Sequence, residues 1–358
     1  MWMVPVSDGR AEGPPVAVRR DTGPVIPMGF TEAGTFYYGI VDAGLNIYTS
    51  TPSGGTPALL VNRFLGSNVG PSWSPNGEQI AYVRRRQLPR AKVCIRTVDT
   101  GEEREYSPDL DWFVVPLLWS PDGRSLLVRG KGPDGKTGSY RIDLATGHVA
   151  PVLLERLAGV PYLARWSPDG KAVYYVESSS DESTRKSSRL MRRDLATGRD
   201  ETVNLPPEGI SFTRFIYPSP DGRHLALWVN REGQGRLAIM PPAGGRLREL
   251  IGPWADAKPE SITWTPDSQQ ILFVSQQGKL AQVTRTELWG IPAEGGKPAR
   301  LGFSTMGRLD RFSIHPDGKR LVFSLAEPVR EIWVMENFLP AGSAATVGIN
   351  PPCPTPAA

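Results

Sequence analysis

Three chemistries would leave recognisable spacings in this chain: a nucleophilic serine, histidines around a metal ion, and paired carboxylates. A nucleophile elbow reads Gly-x-Ser-x-Gly and turns from strand to helix, with an acid and a histidine later in the chain. The nearest string, Gly302-Phe303-Ser304-Thr305-Met306-Gly307, has the wrong spacing. There are three histidines, His148, His224 and His315, at non-equivalent positions. A bound metal wants three or four convergent ligands, which these do not promise. His148 is expected at the solvent, His224 in a strand and His315 in a turn. Asp122, Asp169, Asp221, Asp267 and Asp317 recur like a carboxylate array. Their proline and glycine neighbours already explain most of them as turn residues. Asp109 and Asp111 offer a cation two ligands from a connecting loop. No catalytic constellation, metal site or cofactor is expected on these grounds.

Recognition is better supplied. Arg84, Arg85, Arg86 and Arg90 cluster in one segment, and Arg129 follows with Lys131 and Lys136. Trp112, Phe113, Tyr162 and Trp254 are aromatics expected on neighbouring loops. Basic side chains among aromatics suit an acidic peptide, a glycan or a nucleic acid. Three adjacent arginines before an irregular loop exceed what solubility asks. The net charge is only +4, too weak to argue for nucleic acid by itself.

What must position these groups is a repeat. Trp73-Ser74-Pro75-Asn76-Gly77, Trp119-Ser120-Pro121-Asp122-Gly123 and Trp166-Ser167-Pro168-Asp169-Gly170 are close copies. Looser copies begin at Pro218, Trp264 and Ile314, and a degenerate one is Phe30-Thr31-Glu32-Ala33-Gly34. The steps between equivalent positions are 43, 46, 47, 52, 46 and 50 residues. Proline presets φ in such a turn, aspartate suits the next position, and glycine supplies positive φ. Short apolar runs follow each turn, such as Ile80-Ala81-Tyr82-Val83 and Leu225-Ala226-Leu227-Trp228-Val229, and read as buried strands. Second strands end in Gly54-Gly55, Thr146-Gly147 or Gly295-Gly296. Each unit is therefore four antiparallel strands, A to D, and the fold class is an all-β propeller. Seven blades are expected, with six or eight as alternatives. Trp73, Trp119, Trp166 and Trp264 are expected to pack between blades. The A–B and C–D turns share one face, and the B–C and D–A loops the other, where function usually sits.

The 38 glycines and 35 prolines suit a turn-rich chain, and the two cysteines, Cys94 and Cys353, are expected as free thiols. No apolar run approaches the roughly 20 residues of a membrane span. No basic segment followed by an apolar stretch opens the chain. One propeller domain is expected over residues 1–339, and a disordered tail over 340–358. Asp310 to Ile314, Arg320 to Leu325 and Glu331 to Met335 supply strands A, B and C of a last blade without a D. Pro15 to Arg19 is the simplest supplier of that strand, which would cover an open edge. Alternatively the chain starts inside a blade.

The recurring Trp-Ser-Pro-Asp-Gly phrase resembles the TolB-like propellers with WD40-like repeats, over about Met1 to Phe338. The segment from Arg330 to Pro340 is similar to the close of propeller regions in bacterial multidomain proteins. The resemblance implies a bacterial binding platform, often periplasmic. A non-enzymatic, monomeric propeller is expected, which binds a protein or peptide partner on the loop face and at the channel mouth. The alternatives are a propeller lyase or hydrolase working through channel carboxylates, and a sensory propeller from a larger regulator or peptidase-like protein.

Overall fold

In the computed structural model, each repeated phrase closes a hairpin as its residues dictate. Ser120 Oγ donates to Asp122 Oδ1 at 2.6 Å, which also accepts the Arg124 N–H at 3.0 Å. The Ser125 N–H returns to Ser120 Oγ at 2.9 Å, and the Gly123 N–H reaches the Ser120 carbonyl at 2.8 Å. Gly123 sits at φ +70°. Ser268 takes that place in its repeat at φ +60°. Its hydroxyl is engaged there, accepting the Asp221 N–H of the preceding blade at 3.1 Å. The structure describes every residue except 1, 5, 18–24, 32–34, 43, 62–66, 88–89, 156–162, 179–187, 253–256, 279–284, 327–328 and 336–358. The tail expected over 340–358, with Cys353, lies outside the described residues; Cys94 is a buried free thiol.

The described residues group into two compact units. Gly44–Glu327 holds six four-stranded antiparallel sheets, so the propeller has six blades. Blade 1 runs Ser67–Trp73, Gln79–Gln87, Arg90–Thr97 and Glu103–Tyr106. Blade 2 runs Trp112–Trp119, Ser125–Lys131, Thr137–Asp143 and Val149–Leu154. Blade 3 is Arg165–Trp166, Ala172–Ser178, Ser188–Asp194 and Asp200–Asn204. Blade 4 is Ile210–Pro218, Leu225–Arg231, Gln234–Met240 and Arg248–Ile251. Blade 5 is Ala257–Trp264, Gln270–Gln277, Arg285–Pro292 and Ala299–Met306. Blade 6 takes strands A and B from Arg308–Ile314 and Leu321–Ala326, and strands C and D from Leu45–Ser50 and Ala58–Val61.

That last pairing corrects two expectations. Strand C of the final blade is not Glu331 to Met335, and its strand D is not Pro15 to Arg19. Leu321 pairs with Ser50 and Phe323 with Tyr48. The Gly44–Glu327 unit thereby leaves no B-strand edge unpaired in its final blade. The degenerate first copy consequently makes no seventh blade, because the strands that would complete it complete the sixth.

Apolar clusters mark the ring. Each of the six lies between consecutive blades, including one between blades 6 and 1 (Ile47, Val61 and Val322 against Trp73, Ile80 and Tyr82). The apolar run of strand B serves both neighbours, because alternate side chains point to opposite sides: Ile80 and Tyr82 face blade 6, Ala81 and Val83 face blade 2. The repeat tryptophans stitch the blades. The indole N–H groups of Trp119, Trp166 and Trp264 donate to the carbonyls of Ser72, Leu118 and Tyr217 in the preceding A strand, at 3.1, 3.2 and 2.7 Å. At the seam the pattern changes: Trp73 packs edge-on against His315, with ring centroids 4.6 Å apart.

The other unit, Met1–Ala43 with Pro328–Ala358, contains a three-stranded antiparallel sheet. Phe36–Asp42 lies between Val25–Phe30 and Val329–Met335. Two short pairs precede it, Trp2–Met3 with Val16–Ala17 and Val6–Ser7 with Arg10–Ala11. Among the described residues all regular elements are strands, and no helix is long and apolar enough to cross a membrane.

Candidate functional site

The arginine segment expected as a loop is strand. Arg84, Arg85 and Arg86 continue strand B of blade 1, Arg90 opens strand C, and the ladder runs out to the Gln87–Arg90 pair. The alternation that buries Ile80 and Tyr82 carries on through Arg84, whose stem extends the same face. Its guanidinium is neutralised there. It lies 2.7 Å from Glu103 and 2.5 Å from Glu105 of strand D, and donates to the Tyr82 hydroxyl at 2.8 Å. Lys92 holds the other Glu105 oxygen. The Lys92 hydrogen bond and that from Arg84 keep the Glu105 carboxyl below its ordinary range, against some desolvation.

Cys94 Sγ and the carboxylates of Glu103 and Glu105 lie within 4.8 Å of one another, a spacing that suits a metal ion. One observation sets that aside: Arg84 already bridges both carboxylates. Burial pushes the Cys94 thiol up to about 12.

Two of the expected loop aromatics, Trp112 and Phe113, are also strand residues. Trp112 and Phe113 begin strand A of blade 2 and pair with Lys131 and Gly130. Phe113 is buried in the core between blades 1 and 2. The Arg129 guanidinium lies 5.7 Å from the centre of the Trp112 ring and pairs with Glu155. Asp111 pairs with Lys131 at 3.6 Å, while Asp109 lines a separate recess with Asp134 and His148. Tyr162 and Trp254 lie outside the described residues, as do the side chains of Arg86 and Arg90.

The histidines serve separate places. His224 stacks on Trp264 at 6.2 Å. His315 is buried at the seam, with Nε2 3.1 Å from the Gly77 carbonyl and Nδ1 2.8 Å from Asp317. His148 donates its backbone N–H to Thr146 Oγ1. Ser304 sits in strand D of blade 5 and accepts a hydrogen bond from Arg285 at 3.3 Å.

The aspartate array consists of turn residues. Hydrogen bonds from Ser120, Ser167 and Thr265, then from the backbone N–H two residues beyond each aspartate, hold Asp122, Asp169 and Asp267 below the ordinary carboxylate range. A depressed folded pKa stabilises the fold above the unfolded value of about 4, and that contribution disappears as pH falls through the folded value. Solvent screening keeps each below about 1 kcal/mol. The triple variant Asp122→Asn, Asp169→Asn, Asp267→Asn is therefore expected to melt lower at neutral pH and to lose less stability than the wild type on acidification below pH about 4. Thermal melts across pH read both effects; parallel melting curves against pH would refute this account.

A different site emerges from the topology. The A strands line the ring axis, and the residue just before each repeat tryptophan position recurs once per blade: Ser72, Leu118, Arg165, Tyr217, Thr263 and Ser313. All six line one recess of about 380 Å³ at the A–B turn end. Among the described residues Arg165 is the single charged one in its lining. It is 8% exposed, its guanidinium carbon lies 4.8 Å from the Tyr217 ring centre, and its Nε has no hydrogen-bond partner. Sequence reasoning passed over Arg165. The available signal was an arginine at a position that carries uncharged residues in the other five copies.

Comparisons agree with this architecture. The profile of the TolB beta propeller domain matches residues 163–344. The putative TolB of Agrobacterium tumefaciens superposes with a TM-score of 0.62 at 17% identity, covering 80% of this chain and 100% of that one. TolB of Acinetobacter baumannii gives 0.52 at 21% identity, covering 81% and 66%. Dipeptidyl-peptidase 5 of Porphyromonas gingivalis is 28% identical over 181 residues, 47% of this chain and 25% of that protein, so the chain spans about a quarter of that relative's length. A profile match over half the sequence, on a ring of six four-stranded blades, means that this chain belongs to the TolB beta propeller domain family.

Proposed function

We propose that this propeller is a non-catalytic binding platform for a protein or peptide, and that the recess ringed by all six A strands is where the partner enters. The observation that carries the reading is that recess: one equivalent position from every blade meets there. Arg84 and Arg129, expected as contacts on the opposite face, are instead engaged in ion pairs across their own blades. The test uses immobilised wild-type chain and Thr263→Trp, which fills the recess. A partner held by the wild type and lost by the folded variant supports the reading; equal retention or none overturns it.

A second reading, the propeller of a peptidase-like protein, is favoured by the similarity to dipeptidyl-peptidase 5. Release of dye from a panel of dipeptidyl coumarin amides by the purified chain tests it. Turnover would displace the non-catalytic reading.

A further inference from the structure

Burying a cation is costly unless an anion meets it, and a guanidinium does not escape by losing its proton. Arg165 is in that position. Burial weakens its hold on its proton, Tyr217 offsets part of the effect, and Arg311 on the A strand of blade 6 adds like charge. Among the described residues no carboxylate forms a salt bridge with Arg165, and its Nε is unsatisfied although the side chain is more than nine-tenths buried. Around it stand the hydroxyl residues Thr263 and Ser313, while Leu118, Pro220 and Pro316 provide apolar wall. The recess, about 380 Å³, lies within the range of about 300–1,000 Å³ usual for small-ligand sites.

We propose that this recess binds a carboxylate carried on an apolar body, with Arg165 as the counter-charge. The inference rests on the reading of the ring as a binding platform and names the chemistry that platform selects. The carboxylate belongs either to a small organic acid or to the C-terminus of a peptide ending in an apolar residue. Both present one anionic group and an uncharged body to a recess with one cation. A guanidinium suits a carboxylate because its parallel N–H groups match the two oxygens.

The test titrates the full chain at fixed ionic strength with phenylacetate and phenylacetamide, and with Ala-Ala-Phe as free acid and as amide. Tryptophan fluorescence reads binding, since Trp73, Trp119, Trp166 and Trp264 all line the recess. At least one acid is expected to bind about tenfold or more tighter than its amide, and Arg165→Gln should abolish the difference. Binding by phenylacetate identifies a small acid as sufficient; binding by the tripeptide alone identifies a peptide terminus. Equal binding of acid and amide, no saturable binding, or an unchanged preference in Arg165→Gln overturns the proposal. A second variant guards against misfolding. In chloride buffer Arg165→Met should melt at or above the wild type, because it removes a buried charge that no described carboxylate pairs; a markedly lower melt would make Arg165 a satisfied structural residue and refute the inference. If Arg165→Gln still captures the wild-type partner while no acid binds, this inference falls and the platform reading stands. If an acid binds through Arg165 but no partner is captured, the reverse holds.

Discussion

Replacing Ile47 with alanine is expected to cost the propeller about 2–5 kcal/mol. Ile47 is fully buried, in one cluster with Val61, Val322, Trp73, Ile80, Tyr82 and Cys94. It lies in the strand that pairs with Leu321–Ala326, with Ile47 opposite Ser324. Its removal therefore opens a cavity at the seam where the two ends of the ring meet. The side chains on either side belong to different blades held by a closed ring, which limits their collapse into the space. Urea unfolding should show a lower midpoint with an unchanged slope. Val6→Ala, at an exposed position in the short Val6–Ser7 strand, should stay within about 0.5 kcal/mol of the wild type. A loss at Ile47 no larger than at Val6 would mean that Leu45–Ser50 does not close the ring.

Gly302→Ala is expected to be the second large effect, about 2–4 kcal/mol of destabilisation. Gly302 sits at φ +101°, where an L side chain is strained, and a Cβ there would lie 2.3 Å from the Ser53 carbonyl oxygen. That oxygen is backbone, in the C–D turn of blade 6, and the turn is tied to blade 5 by the Phe303 N–H to Pro52 carbonyl bond at 3.1 Å. Neither side yields without disturbing the contact between the closing strands and their neighbour. Gly209→Ala separates the two causes: it has φ +73° with open space around a Cβ, so it carries only the conformational cost of about 1–2 kcal/mol. Equal unfolding midpoints for the two variants would refute the close approach. Gly302, two residues before Ser304, is thus a glycine for a packing reason.

Much of the blade was legible because its determinants are local. Serine, proline, aspartate and glycine within five residues specify a turn through their own φ preferences and short-range hydrogen bonds. The apolar runs after each turn specify strands that are covered on both sides. The role of the tryptophans followed from their recurrence, and the aspartates read as turn residues proved to be so. The candidate contacts were less legible. Arg84, Trp112 and Phe113 read as loop residues because charge and aromatic content say nothing about where a strand stops. The ladder continues through Arg84 and Arg85 to the Gln87–Arg90 pair, since a long aliphatic stem such as that of Arg84 can cover a sheet while Glu103 and Glu105 neutralise its head group.

By itself the sequence determined the repeating unit, its four strands, its two kinds of turn and the radial stacking of copies. Each of these depends on residues close together in the chain. Only the tertiary structure decided the number of blades, the partner of the last B strand and the place of Arg165. Those depend on pairings between distant segments, where many registers are locally acceptable and the choice falls to whichever covers the open edge and fills the seam. Ile47 meets Val322, and Arg165 meets Tyr217, only once the ring has closed.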